Sequence, residues 1–361
     1  MNVLIRRPLI SLGLLMAAAA VALLGVGGAA AGTRSHAGSI QVCALLPDTK
    51  TSVRYTLFDA PDLSKAFKNA GLSYSVLNAQ GSPTTQISQG EQCMTNGAKV
   101  ILVDALDSGT GATIEANAKK AGVKTIDYDR LVLKGSASYY VSFNNVAVGK
   151  LQGQGLVSAM KANGTYAKHG VVAELNGAPT DNNATLFAQG YNSVLNPLYK
   201  SGQLTKGPNQ SVANWDNQVA LTDFQGMLAK TGNKIDAVLA ANDGIASSVV
   251  SALQSAKLPA LPLTGQDATP GGAQYILAGW QSGTVYKPVP SEAAAAAAVA
   301  INMIKGVPVH TNGTTNNGVR QVPSVLLTPI WVTKHNISIL FTSGFLKKSQ
   351  VCVGTYAQYC K

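Results

Sequence analysis

The sequence is short of the residue types that mark many other kinds of protein. Aromatic residues make up 6% of its 361 positions and charged residues only 12%. So few aromatics suit buried sheets built from small and β-branched side chains rather than aromatic clusters. The formal charge is +11, yet the basic residues are dispersed and no Lys/Arg-rich run interleaves with aromatics. The charge reads as a solvated basic surface, and no nucleic-acid partner is implied. Catalytic signatures are missing too: no G-x-S-x-G turn, no P-loop and no H-E-x-x-H. The histidines (His36, His169, His310 and His335) are scattered and no C-x-x-C occurs, so neither a metal nor another cofactor is expected. A glycosidase needs two carboxylates flanking one bond; Asp129 with Asp267 is the pair to weigh, and nothing else supports a sugar-modifying enzyme.

Beyond about Gly38 no apolar run is long enough to span a bilayer. One such run stands before it, from about Pro8 to Ala31, preceded by Arg6 and Arg7 and ending in Ala29-Ala30-Ala31 before Gly32. A positive start, an apolar middle and a small-residue site describe an export signal over residues 1–31. A retained membrane anchor is the other reading of the same run. Pro8 directly after the arginines makes the twin-arginine signal weak, and no cysteine follows that would carry a lipid. The expected location is outside the cytoplasm, in a periplasm or on the outer face of the membrane.

Cys43, Cys93, Cys352 and Cys360 are an even set in an exported chain, which favours disulfides and permits three pairings. Cys352 and Cys360 are close enough in sequence to close a small terminal loop. For Cys43, in an apolar strand, and Cys93, on a helix, a second bridge and two buried thiols are both open.

What is present is a regular beat of apolar strands and helices, over a length that suits two domains. Strands are expected at 39–47, 72–79, 99–106, 123–128 and 139–143, with helices at 59–69, 84–96 and 110–121. The beat restarts with helices at 146–162, 182–195, 218–230 and 244–256. Strands there are expected at 170–175, 237–241 and 261–265, with an extended segment near 211–215. Continuous apolar strands separated by helices imply parallel sheets buried on both faces. Two consecutive doubly wound α/β units follow. The Ala-rich stretch 292–305 is a helix by propensity, bounded by Pro288 and Pro290 before it and Gly306-Val307-Pro308 after it.

Ligands in doubly wound sheets bind beyond the carboxyl ends of the strands. Those ends carry Asp48, Arg54 and Tyr55; Asp129 and Arg130; Asn144 and Asn145; Asp181, Asn182 and Asn183. In the second unit they carry Trp215 and Asp216, Asn242 and Asp243, Gln266 and Asp267, then Lys287. Carboxylates, amides and cations around an aromatic face match a hydroxyl-rich ligand, whose hydroxyls donate and accept while its C–H faces stack. Singly, each has an ordinary reading: a helix N-cap for Asp181 or Asp243, a surface pair for Asp129–Arg130, a core residue for Trp215. The weight lies in nearly every strand end carrying one.

The runs Tyr128-Asp129-Arg130, Tyr140-Val141-Ser142-Phe143-Asn144-Asn145, Pro179-Thr180-Asp181-Asn182-Asn183-Ala184, Ala241-Asn242-Asp243-Gly244, Thr264-Gly265-Gln266-Asp267-Ala268, Thr284-Val285-Tyr286-Lys287-Pro288 and Leu327-Thr328-Pro329 occur in that order. In these the chain resembles bacterial periplasmic xylose-binding proteins, within the ribose/galactose/xylose class of sugar-binding proteins that serve ABC importers, over essentially all of the mature sequence. The resemblance implies two Rossmann-like lobes joined by three crossover strands, the type I periplasmic-binding-protein plan. It puts 38–145 with 289–320 in the first lobe and 146–288 with 321–361 in the second, crossing near 144–147, 286–290 and 321–326. It implies that Asp129, Arg130, Asn182 or Asn183, Asn242, Asp267 and Lys287 hydrogen-bond a monosaccharide, with Asn145 nearby. Arg54 matches the arginine after the first strand, and Trp215 an aromatic wall. Two positions depart from the pattern: Tyr55 stands where xylose binders carry Trp, and Asn144 where they carry Asp. The second change weakens a hydroxyl bond there by about 1 kcal/mol. The implied function is the solute-binding component of an ABC sugar importer, acting as a monomer that closes its lobes around the sugar and docks on a permease. A receptor for sensing or chemotaxis shares the same plan. A sugar-responsive regulator would need a DNA-binding helix-turn-helix where the signal stands.

Overall fold

The computed structural model describes residues 39–49 and 52–360; the signal segment at 1–31 lies outside them. The first run of elements is β1 (Val42–Leu46), a π-helical turn (Tyr55–Asp59) leading into α1 (Ala60–Asn69), β2 (Tyr74–Asn78), α2 (Pro83–Thr95), β3 (Val100–Val103), α3 (Ser108–Lys120), β4 (Lys124–Tyr128) and β5 (Tyr139–Phe143). The uninterrupted apolar runs of β1 and β3 are wholly buried, as strands covered on both faces must be. Helix starts are fixed by side chains that accept otherwise unpaired backbone N–H groups: Ser82 from Thr85, and Asp107 from Thr110.

The second run is α4 (Asn145–Ala162), β6 (Val171–Asn176), α5 (Asn182–Lys200), β7 (Thr205–Ser211), a 3-10 turn (Ala213–Trp215), α6 (Asn217–Thr231), β8 (Ala237–Ala240), α7 (Asp243–Ser255), α8 (Pro270–Ala278) and β9 (Thr284–Tyr286). Then come α9 (Val289–Lys305), β10 (Gly313–Asn316), β11 (Gln321–Leu327), β12 (Ile330–Val332), α10 (Ser338–Thr342) and α11 (Lys348–Val351). None of the described helices is long and apolar enough to cross a membrane.

The strands assemble into two separate layers. One sheet has seven strands in the order β10-β11-β5-β4-β3-β1-β2, parallel except for the β10–β11 pair. The other has parallel β7-β6-β8, continued by single parallel bridges from Val238 to Leu263 and from Gln266 to Val285, with β9 pairing antiparallel to β12. Each layer has its own apolar core, one including Leu63, Phe67 and the Ala293–Ala300 face of α9, the other including Leu175, Phe187, Phe224 and Leu239. This is a two-lobed α/β fold with crossover strands. The chain passes between the layers after β5, after β9 and after β11.

Three details differ from the sequence-based expectations. The extended segment placed at 211–215 lies earlier, as β7, and 213–215 is a tight turn with Asn214 and Trp215 both at positive φ. Edge strand β7, TKGPNQS, is exposed along most of its length, so it has no apolar run to announce it. The segment 261–265 makes one ladder bridge rather than a regular strand. And β11 pairs with β5 in the seven-stranded sheet, so residues 321–327 belong to that layer and the last crossing falls at 327–330 rather than 321–326. The expected Cys352–Cys360 disulfide forms in the tail, and of the two readings left open for Cys43 and Cys93 it is the bridge that forms, between β1 and α2.

Candidate functional site

Arg54 is the hub on the first-lobe side. It enters the π-helical turn after β1 and is 3% exposed. Its Nε and Nη2 donate to Asp59 at 3.0 and 2.7 Å, Nη2 also to Glu292 on α9 at 2.7 Å, and Nη1 lies 3.1 Å from Asp129 Oδ1. Burial alone would raise the Asp129 carboxyl, but Arg54, then Lys287 and Arg130, hold it below its ordinary value. Glu292 is pushed up to about 8, chiefly by burial, against the opposing pull of Arg54.

Asp129 sits at φ +58, and its carbonyl explains how that backbone is held. The oxygen accepts from Ser142 Oγ at 2.7 Å, Tyr140 Oη at 3.0 Å and, across the lobes, Asn183 Nδ2 at 3.1 Å. The next residue, Arg130, spans the lobes, with Nε 3.4 Å from Asp104 after β3 and 3.3 Å from Asp181 at the start of α5. Burial, then Asp129, raises the Asp104 carboxyl well above its ordinary value, against the opposing pull of Arg130. Arg130 Nη2 also donates to Tyr55 Oη at 3.1 Å, and the Tyr55 ring lies under both guanidinium groups.

On the second-lobe side Asp181 does two things at once. It caps α5 by accepting from Asn183 N, and its other oxygen accepts from the Trp215 indole N–H at 3.1 Å. The Trp215 ring lies where a side chain on Gly177 would have to be, so only glycine fits there. Asn242 caps α7; Asp243 instead accepts from Thr269 N and Thr269 Oγ1 at the start of α8 and from Gln281 and Thr284. Asp267, at φ +91, meets Lys287 Nζ at 3.0 Å just beyond β9. That ammonium is about 6 Å from the rings of Phe143 and Phe187.

Nine of the twelve residues expected from the sequence line one pocket between the lobes: Arg54, Tyr55, Asp129, Arg130, Asn183, Trp215, Asn242, Asp267 and Lys287. Asn145 is one layer back, donating to Asn183 Oδ1 at 2.8 Å. The other two are not part of the wall. Asn144 is exposed and caps α4 by accepting from Ala147 N at 3.0 Å; Asn182 sits in the first turn of α5 beside Asn183, which faces the pocket in its place. The sequence reading missed Asp59, Asp104, Phe187 and Glu292. Asp104 directly follows an apolar strand and could have been found by the same rule as Asp129. Glu292 interrupts an alanine run, a signal that reads as helix solubility until Arg54 is seen opposite it.

The pocket encloses about 30 Å³, room for about two waters. A monosaccharide needs several times that, so its admission requires the lobes to part and paired side chains such as Asp267 and Lys287 to exchange partners. Three carboxylates (Asp129, Asp181, Asp267) and three cations (Arg54, Arg130, Lys287) line the pocket in pairs, with Asp59, Asp104 and Glu292 holding the arginines from behind. A lining whose charges balance in pairs suits a neutral solute with many hydroxyls, which donate to the carboxylates and accept from the cations.

Two sheets with helices on both faces, three crossings and a charged, aromatic-walled cleft at the strand ends define a two-lobed solute-binding protein. The periplasmic binding protein domain family matches residues 44–308. The D-xylose-binding periplasmic protein of Escherichia coli is 36% identical over 289 residues, covering 80% of this chain and 86% of that protein. The multiple sugar-binding periplasmic protein of Azospirillum brasilense is 33% identical over 323 residues, covering 84% and 88%. Among solved structures, an ABC transporter solute-binding protein from Clostridium phytofermentans with bound β-D-glucose has a TM-score of 0.81 and 30% identity, covering 86% of this chain and 99% of its own. The chain therefore belongs to the periplasmic binding protein family, in the ribose/xylose/galactose class of ABC-importer sugar-binding proteins, which work outside the cytoplasm and bind without catalysis.

Proposed function

We propose that this receptor closes on a neutral xylose-like aldose and presents it to the membrane permease of its importer. The observation that carries the reading is the pocket's paired lining of three carboxylates and three cations, set beside the rings of Tyr55, Phe187 and Trp215. Asp129, Asn183 and Asp267 are the acceptors offered to sugar hydroxyls; Arg54, Arg130, Lys287 and the Asn242 amide N–H, whose oxygen caps α7, are the donors to its oxygens. The two lobes are residues 39–143 with 289–327, and 145–287 with 330–360. In the open form the carboxylates are solvated; closure desolvates them, and the sugar's hydroxyls replace the lost water. The relatives that bind D-xylose and several sugars support the same class. The departure at Asn144 does not enter this pocket, because that side chain is exposed at the start of α4 and outside the lining.

A thermal-shift screen against pentoses, hexoses and polyols tests the proposal, since a ligand bound only by the folded state raises its melting temperature. Xylose or a close stereoisomer is expected to give the largest shift. A response to an unrelated solute class with none to any sugar would sink it.

A further inference from the structure

Past Arg130, Asp181 and Trp215, which the two spaces share, the inner pocket gives onto an outer chamber of about 440 Å³. Both lobes wall it: Asp48, Gln80 and Leu106 from the first, Thr180, Asn214 and Gln218 from the second. Its volume falls within the roughly 300–1,000 Å³ of small-molecule sites. Its chemistry repeats that of the inner pocket, with amides, carboxylates and a hydroxyl set around the Trp215 indole.

The backbone gives a second, independent observation. Gln80, Asn214 and Trp215 have φ of +54, +53 and +55. The left-handed region is tolerable for Asn but unfavourable for Gln and Trp, and strain of this kind collects where side chains must be aimed at a ligand. One of the three comes from the first lobe and two from the second, and all three line this chamber. The Gln80 turn is held by its own N–H donating to Asn78 Oδ1 at 2.9 Å and by Thr49 Oγ1 donating to Gln80 Oε1 at 3.0 Å. Closure of the lobes would therefore bring two pre-shaped turns together over whatever extends outward past Trp215.

We propose that the outer chamber is a second sugar subsite and that the receptor takes a disaccharide, one ring in the inner pocket and the other between Trp215 and the Gln80 turn. The proposal rests on the sugar reading of the inner pocket. Arg130 and Asp181 stand at the junction, where a donor and an acceptor meet the bridging oxygen and the hydroxyls beside it.

Calorimetric titration of the full chain with two matched pairs, xylose against xylobiose and glucose against cellobiose, tests it. The variant Thr180→Trp adds a large ring from an exposed position that lines only the outer chamber. For the pair whose monosaccharide binds, the disaccharide is expected to bind at least as tightly. Thr180→Trp is expected to weaken the disaccharide by about tenfold or more while moving the monosaccharide by less than about twofold. A monosaccharide that binds while its disaccharide does not overturns the second subsite and leaves the receptor reading standing. Disaccharide binding untouched by Thr180→Trp overturns it as well. If no member of either pair binds, both this proposal and the sugar reading beneath it fall.

Discussion

Removing the Arg54 guanidinium would strand Asp59, Asp129 and Glu292, all buried, with their shared cation gone. Breaking a buried charge pair by deleting one partner costs far more than the pair contributes net, on the order of 3–5 kcal/mol. Arg54→Met is therefore expected to lower the urea midpoint of unfolding sharply, besides weakening sugar binding; a midpoint equal to the native one would show that the three carboxyls do not depend on it. Asp243 makes a different prediction. Burial, opposed by bonds from Gln281, Thr269 and Thr284, pushes its carboxyl up from 3.8 to about 7. Between those values the folded protein keeps a proton that the unfolded chain has released, so stability falls with rising pH. This group's contribution is whole below the unfolded value and is lost as pH rises through about 7. Melting temperatures compared from about pH 5 to about pH 8 should fall more for the native protein than for Asp243→Asn, which cannot ionise. Parallel curves would contradict the assignment.

Among the elements, α4 and α5 pack with their backbones in contact. A side chain on Gly149 would collide with the Phe187 carbonyl, and one on Gly190 with the Val146 carbonyl. Gly190→Ala is expected to destabilise by about 2–4 kcal/mol, because main chain cannot yield as a side-chain tip can; a loss below about 0.5 kcal/mol, the range of an ordinary surface change, would refute the close approach. The disulfides differ by the length of chain each closes. Cys43–Cys93 spans 50 residues and Cys352–Cys360 only 8, so by loop entropy the first stabilises by roughly 4 kcal/mol and the second by roughly 2.5. Chemical denaturation of the two paired Cys→Ala variants should rank them in that order. The sequence located most elements because their signals are local: β1, β3 and β8 are uninterrupted apolar runs, and Ser82, Asp107 and Asn242 stand where helices start. It misplaced β7 and overread 261–265 because an exposed edge strand carries no apolar pattern, and an apolar run does not say how many ladder bonds it makes.

For the whole molecule, closure is the functional event, and Arg130 is a side chain whose ion pairs reach both lobes. A saturating sugar is expected to reduce the radius of gyration measured by X-ray scattering, as lobes that have parted close on it. Arg130→Ala should leave the sugar-free protein more open on average and weaken binding, since the closed state loses its contact to Asp181. Scattering profiles unchanged by sugar, in a protein shown to bind it, would rule out closure.

By itself the sequence determined the class of the protein and most of the residues in its cleft. Those are local or ordered properties: an uninterrupted apolar run for a buried strand, a polar residue after each strand, and a run of motifs in a fixed order. Only the tertiary structure decided which strand-end residues face one another. Asn144 and Asn145 are neighbours in sequence, yet one caps a helix in solvent and the other braces Asn183. Glu292 meets Arg54 across 238 positions of chain. Burial, too, belongs to the assembled lobes: the same carboxyl is held charged at Asp129 and made to keep its proton at Asp243 by what surrounds it. The outer chamber exists only where two distant turns, at Gln80 and at Asn214–Trp215, come to face each other.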